Sequence, residues 1–290
     1  MLRAIRPENL EQVACPVCAS TQFRKRFRKQ DLDIVRCLGC RAVYVNPRLC
    51  LDTLCKLYNG QSISNTQYYL RTLQLDALGF AKRLELIEKH CQGRNLLDIG
   101  CGPGTFLKVA AERNWNTIGI EVNASSVASC HAAGLKAICG TFPHAELTGK
   151  RFDAIVLNDV IEHLTEPRQA LETIREMLAP RGVLFMSTPD VGSMVSRLSG
   201  VRWLHLKPIE HLTYFDRRTL RRTLNETGFE IEFLRSMGRP RSLALILDRL
   251  KTYSPLLSKL CLTVVNERWA EKVALPINPG DEMAVLARKR

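Results

Sequence analysis

Leu96-Leu97-Asp98-Ile99-Gly100-Cys101-Gly102-Pro103-Gly104-Thr105 is the stretch that decides how the rest of the chain is read. A short apolar run ends on an acid, turns through three alternate glycines and enters a helix-like segment over 105–112. Alternate glycines let the backbone turn sharply and approach a ligand without Cβ clashes. The helix that follows aims free N–H groups at the same place. The dinucleotide fingerprint G-x-G-x-x-G fits neither register: counted from Gly100 its third glycine falls on Thr105, and counted from Gly102 it falls on Leu107.

Downstream, strand-like and helix-like segments alternate. Strands are predicted at 96–99, 117–120, 136–139, 153–157 and 183–186, and helices at 105–112, 124–133 and 167–178. A further helix is predicted in front, over 70–90, where Leu73, Ala77, Phe80, Leu84 and Ile87 recur at helical spacing. This alternation predicts an α/β fold, a parallel sheet covered by helices on both faces. Ligands of such sheets sit at the carboxyl ends of the strands. Glu121 closes the second strand, where an acid can accept hydrogen bonds from both hydroxyls of a ribose. Loop and acid together specify an adenosine-type ligand.

Upstream, Cys15-Pro16-Val17-Cys18 and Cys37-Leu38-Gly39-Cys40 form two CxxC pairs. Four thiolates on two tight turns suit a closed tetrahedral Zn²⁺ site of structural role. A redox CxxC needs a pair at a helix start in a βαβ context, which this spacing lacks. Strands at 22–27 and 32–36 complete a small ribbon, which would draw much of its folding free energy from the metal. Within it runs Arg24-Lys25-Arg26-Phe27-Arg28-Lys29. Cations interleaved with aromatics suit nucleic acid; they equally suit a solvated hairpin face whose aromatics pack on the ribbon. Asn46-Pro47, Asn59-Gly60 and the polar stretch 61–67 punctuate the chain, so a module boundary is expected near residue 60.

The chain has 290 residues, 46% of them hydrophobic and 24% charged, a globular balance with room for a large core. No apolar run reaches the length of a membrane span. The first fourteen residues mix Arg3, Arg6, Glu8 and Glu11 among apolar ones and lack a secretory pattern. Eleven cysteines, most outside any regular pattern, then point to a reducing cytoplasm. A formal net charge of +13 favours an anionic partner without choosing one: nucleic acid, a phosphorylated or nucleotide-linked substrate, or a membrane surface.

Residues 96–106 resemble motif I of class I S-adenosylmethionine-dependent methyltransferases. The stretch from Tyr68 to Met237 resembles their ubiquinone-type branch, the "methyltransferase domain 23" proteins. Residues 152–164 are similar to that branch's fourth-strand motif, and 200–203 with 208–215 to its segment after strand five. Many relatives also carry a front CxxC…CxxC module ending in Val-Tyr-Val-Asn-Pro-Arg, seen here at 43–48.

The resemblance implies a doubly wound, seven-stranded Rossmann-like methyltransferase domain over 61–290, behind a zinc-ribbon-like module over 1–60. The last strand would be antiparallel and inserted beside the sixth; strand six falls at 230–234, strand seven at 283–287, and an insertion at 238–281. Asp98, Gly100, Gly102 and Gly104 would hold S-adenosylmethionine, with Glu121 on its ribose. Thr141 and Phe142 would flank the adenine, although relatives often place an acid where Thr141 stands. Asn158 would line the methyl-donor pocket.

Methyl transfer from a sulfonium needs alignment and exclusion of water, and a base where the acceptor carries a proton. His163 and His211 follow strands four and five in the substrate region that the resemblance implies, and an imidazole titrates near neutral pH. Either can be that base; His163 can instead hydrogen-bond local backbone, and His211 can orient the loop carrying Tyr214. Trp203 can cover the acceptor or belong to the core. No Asn-Pro-Pro-aromatic or Pro-Cys motif follows strand four, which favours a small-molecule acceptor. Sugar, glycan and lipid-linked acceptors are the classes implied by resemblance, with RNA the alternative. The insertion reads as a lid, a dimer contact or a peripheral membrane contact, with Arg239, Arg241, Arg249, Lys251, Lys259 and Lys272 as basic punctuation.

Overall fold

The computed structural model describes residues 5–60, 66–254 and 265–290. Residues 61–65, in the expected linker, and 255–264, with Lys259 of the insertion, lie outside the described residues.

Five short strands open the chain: β1 (Leu10–Glu11), β2 (Phe23–Lys29), β3 (Leu32–Cys37), β4 (Val43–Val45) and β5 (Arg48–Leu49). Helices α1 (Leu51–Asn59) and α2 (Thr66–His90) follow. The alternating part is β6 (Asn95–Ile99), α3 (Thr105–Ala111), β7 (Asn116–Glu121), α4 (Ala124–Ala132), β8 (Ala137–Cys139), β9 (Phe152–Asn158), α5 (Pro167–Met177) and β10 (Leu178–Pro189). The rest is α6 (Met194–Ser199), β11 (Thr213–Tyr214), α7 (Arg217–Glu226), β12 (Phe229–Ser236), β13 (Arg239–Ser242), α8 (Leu243–Tyr253), the helix Glu267–Lys272, β14 (Ala274–Ile277) and β15 (Glu282–Lys289).

The main sheet has the order β12-β15-β10-β9-β6-β7-β8. β15 runs antiparallel to both its neighbours, and the pairings among β10, β9, β6, β7 and β8 are parallel. This is the expected seven-stranded sheet with its last strand beside the sixth. Alternation along the strands sorts the core onto two faces. Leu97, Ile99, Ile155 and Leu157 join one cluster, while Leu96, Ala154 and Val156 join the other. Helix α5 buries Ala170, Leu171, Ile174 and Met177 along one stripe. A capping box of Asp216 and Thr219 starts α7.

The pairing register sets the ligand edge. Ile99 pairs with Ile120 on one side and Leu157 on the other. The carboxyl ends of β6, β7 and β9 therefore lie side by side, and Asn158 pairs across to Ser187 of β10.

The front ribbon continues into the rest of the molecule. Strands β2, β3 and β4 form an antiparallel sheet, and β11 adds a fourth strand with Tyr44 against Thr213 and Val43 against Tyr214. Leu32, Ile34, Val43 and Val45 share one core cluster with Trp203, Leu206, Ile209 and Leu212. Arg48 donates to Glu11 at 2.8 Å and to the Thr165 carbonyl at 2.7 Å, tying the Asn-Pro-Arg turn to the loop beyond His163.

Candidate active site and metal site

The loop after β6 is held open by its own geometry. Gly100 has φ +72°, and a Cβ there would stand 2.5 Å from Val160 Cγ2. Gly102 has φ +52°, and no heavy atom lies within 4 Å of where its Cβ would be. Its N–H donates to Glu121 Oε2 at 3.0 Å, and Asn123 N–H donates to Oε1 at 2.9 Å. Glu121 is thereby aimed along the loop. Gly104 is the N-cap of α3.

Asp98 is buried, and its Oδ1 has no hydrogen-bond partner among the described residues. Burial, then Glu121 nearby, raises its carboxyl well above the usual range. A buried, unsatisfied carboxylate is costly unless a ligand supplies donors. Asn158 Nδ2 is buried and unpartnered too. Orphaned polar atoms on two adjacent strand ends, beside a glycine with free space, fit a polar nucleoside-type ligand. Gly140 N–H donates to the Glu121 carbonyl at 2.9 Å, which brings Thr141 and Phe142 alongside. Thr141 is exposed, and Phe142 packs partly against the core.

Behind the site lies a charged network that local sequence patterns did not reveal. Arg83, buried on α2, donates to Asn158 Oδ1 at 2.5 Å and to Ser187 Oγ at 3.0 Å. Ser187 Oγ donates to Asp159 Oδ1 at 2.8 Å. Arg239 pairs with Asp159 and with Glu282, the latter at 2.9 Å. The two arginines hold the Asp159 carboxyl far below its usual range against the opposing effect of burial. Arg239 and Arg241 therefore differ from surface punctuation: Arg241 is buried and pairs with Asp76 at 2.7 Å. The clue for Arg83 was its place beside Phe80, Leu84 and Ile87 on one helical stripe.

The structure brings His163 and His211 together, with ring centroids 4.7 Å apart and planes at 84°. Tyr58 of α1 reaches His163 Nδ1 with its hydroxyl at 2.8 Å. His211 is 5% exposed, and its Nδ1 has no partner among the described residues. Burial lowers the pKa of both imidazoles, His211 further because its proton would compete with protons on His163 and His205 and face the Lys207 cation. Both are therefore neutral near pH 7 and able to accept a proton. Glu162 is buried beside them, accepts from Thr188 Oγ1 at 2.9 Å, and is pushed up to about 8 by burial and Asp159. Trp203 is wholly buried and donates to Asp281 Oδ2 at 3.0 Å. That makes it a core residue.

Cys15, Cys18, Cys37 and Cys40 place their sulfurs within 4.8 Å of one another. Cys15 to Cys40 is 3.4 Å and Cys18 to Cys37 is 3.5 Å. Four sulfurs at about 2.3 Å from a tetrahedral zinc stand roughly 3.8 Å apart, so the donor set fits that ion. Backbone N–H groups of Cys40 and Ala42 point at Cys37 Sγ and Cys40 Sγ, at 3.4 and 3.5 Å, which favours thiolates. Phe23 and Phe27 pack on the core, while Arg24, Lys25 and Arg28 face solvent, the hairpin-face arrangement.

A seven-stranded sheet in this order, with a glycine turn after β6 and an acid closing the neighbouring β7, defines a Rossmann-like methyltransferase fold. The chain belongs to the methyltransferase domain family, which matches residues 69–233. It is similar to the ubiquinone biosynthesis O-methyltransferase of Azoarcus sp. (strain BH72), 30% identical over 115 residues, 37% of this chain and 49% of that protein. The protein of the same name from Cereibacter sphaeroides is 31% identical over 121 residues, 39% of this chain and 49% of that protein. The chain thus spans about half the length of these relatives. Among solved structures it is similar to a SAM-dependent methyltransferase, possible histamine N-methyltransferase, from Thermotoga maritima (TM-score 0.54, 14% identity, 82% of this chain and 100% of that one). It is also similar to the plantazolicin methyltransferase BpumL, solved in complex with SAH (TM-score 0.51, 15% identity, 82% and 94%). Both likenesses are of fold.

Proposed function

We propose that this chain transfers a methyl group from S-adenosylmethionine to a small-molecule acceptor, of the sugar, glycan or lipid-linked kind. The observation that carries the reading is the pairing of Glu121, bonded to the Gly102 N–H, with the orphaned Asp98 carboxyl at the neighbouring strand end. The cofactor supplies a methyl group already activated on a sulfonium. Asp98 and the glycines Gly100, Gly102 and Gly104 receive its amino-acid part, Glu121 its ribose, and Thr141 and Phe142 its adenine. Asn158, steadied by Arg83, borders the methyl. His163 or His211, neutral in this site, takes the acceptor's proton where there is one. Zn²⁺ on the four cysteines is structural, since a closed four-sulfur site leaves no open position.

The division at residue 60, with a ribbon over 1–60 and a catalytic domain over 61–290, belongs to the same proposal, as does a cytoplasmic setting. No helix among the described residues is long and apolar enough to cross a membrane. For the insertion, the lid reading is supported by a cavity of about 210 Å³ between α8 and Arg239, Asp281 and Glu282. A peripheral membrane contact through 238–281 goes with a lipid-linked acceptor and is supported by exposed Trp269 and Leu275.

RNA modification is the second reading, favoured by the exposed Arg24, Lys25 and Arg28 on β2. A radiolabelled-methyl screen over sugar nucleotides, glycolipids, quinone precursors and RNA tests both. Label entering RNA alone, with steeply salt-dependent binding, would replace the first reading by the second.

A further inference from the structure

We propose that the outer face of α6, together with the flanking strand β2 of the ribbon, docks the protein onto an anionic lipid bilayer. Three aliphatic side chains stand out of this face: Met194 is 75% exposed, Leu198 82% and Val201 47%. Single exposed apolar residues are ordinary. Met194 and Leu198 recur at i and i+4, so they share one side of α6, and Val201 stands exposed in the turn that follows the break at Gly200. The opposite side of the helix faces the molecule: Ser196 is buried, and Val195 lines the cavity that reaches Arg239.

The surrounding charge selects the partner. Arg197 and Arg202 are exposed and make no ion pair among the described residues. Strand β2 packs against the turn Gly200–Arg202 and brings Arg26 to the same place. Burial first, then Arg36 and Arg197, draws the Arg26 pKa down, so these guanidinium groups are close enough to repel. Asp216, the acid that Arg26 feels, already caps α7. Crowded cations short of partners favour an anionic surface. Projecting aliphatic side chains favour a bilayer over RNA, whose bases need aromatic platforms; Phe27 here lies under Arg26 and packs inward. The docking stands independently of the acceptor's identity. It bears on the lipid-linked form of the proposed function only in placing the cavity near the membrane.

The test uses the full chain and vesicles of phosphatidylcholine with or without phosphatidylglycerol, read by cosedimentation. The expected result is binding to the anionic vesicles, weak binding to the neutral ones, and release by salt. Two double variants, Met194→Ser with Leu198→Ser and Arg197→Glu with Arg202→Glu, should each lower the partition about 10-fold or more. S-adenosylmethionine affinity and near-ultraviolet circular dichroism should stay unchanged, since these side chains are exposed to solvent. A wild-type chain that stays in the supernatant overturns the proposal. So does vesicle binding that both variants retain. Two further results assign the face elsewhere: a wild-type dimer that the aliphatic variant converts to monomer, or polyuridylate binding lost in the arginine variant but kept in the aliphatic one without any vesicle binding.

Discussion

Arg83, wholly buried on α2, donates one hydrogen bond to Asn158 Oδ1 at 2.5 Å and another to Ser187 Oγ at 3.0 Å. One guanidinium thus fixes the carboxyl ends of two neighbouring strands, β9 and β10. Removing it leaves both acceptors short of a donor. Arg83→Leu should cost about 1–3 kcal/mol of stability, the scale of unsatisfied buried groups. It should also weaken S-adenosylmethionine by freeing Asn158. Urea unfolding and titration calorimetry on the same preparation check this. An unchanged midpoint would place the interaction outside the energetics of the fold.

Glu121 tests the cofactor itself. Its carboxylate is oriented by the Gly102 and Asn123 N–H groups, so it is pre-set for a ribose. Glu121→Ala should lower S-adenosylmethionine affinity by ~1.5–3 kcal/mol, typical of charged hydrogen bonds. Wild-type affinity in that variant removes Glu121 from the ribose.

The four cysteines should bind one Zn²⁺ per chain. Cys15→Ser or Cys40→Ser should release it and loosen the ribbon. Because Leu32, Ile34 and Val45 pack with Trp203 and Leu212, the loosening should reach the loop carrying His211. Metal analysis and hydrogen exchange over 203–215 measure both effects; unchanged exchange there separates the ribbon's stability from the loop's.

Two histidines compete for the base. If His211 takes a proton in the transition state, His211→Ala should slow single turnovers by ~10²–10⁴-fold. His211→Gln should keep much of the rate if the ring only props the loop. His163, hydrogen-bonded to Tyr58, calls for the parallel pair His163→Ala and Tyr58→Phe. Near-normal rates in both His211 variants with a loss in His163→Ala move the role to His163.

Stability should peak near pH 6.5. Burial lowers His163, His205 and His211, so below about 6.5 the unfolded chain binds their protons first and stability falls with pH. Glu162 is raised to about 8, and Asp98 is raised too. Between pH 4.5 and 8 the folded chain holds the Glu162 proton that the unfolded chain has lost, which opposes the histidines below about 6.5 and acts without them above it. Above about 6.5 stability should fall by about 1.4 kcal/mol per pH unit for each such group. Chemical denaturation from pH 5 to 8 reads both slopes. Glu162→Gln should flatten the upper one, since an amide does not titrate.

The sequence by itself determined the alternating sheet, the glycine turn, the acid at Glu121 and the four-sulfur set. Each is written in local spacing: alternation of strand and helix, glycines two residues apart, cysteines three apart. The tertiary structure alone decided what surrounds them. Tyr44 lies 169 positions from Thr213, yet the two pair in one sheet, so the ribbon supports the His211 loop. Arg239 lies 80 positions from Asp159 and closes a half-buried ion pair with it. Such partners leave no period to read, because a buried charge is fixed by whichever opposite charge the folded chain brings within reach.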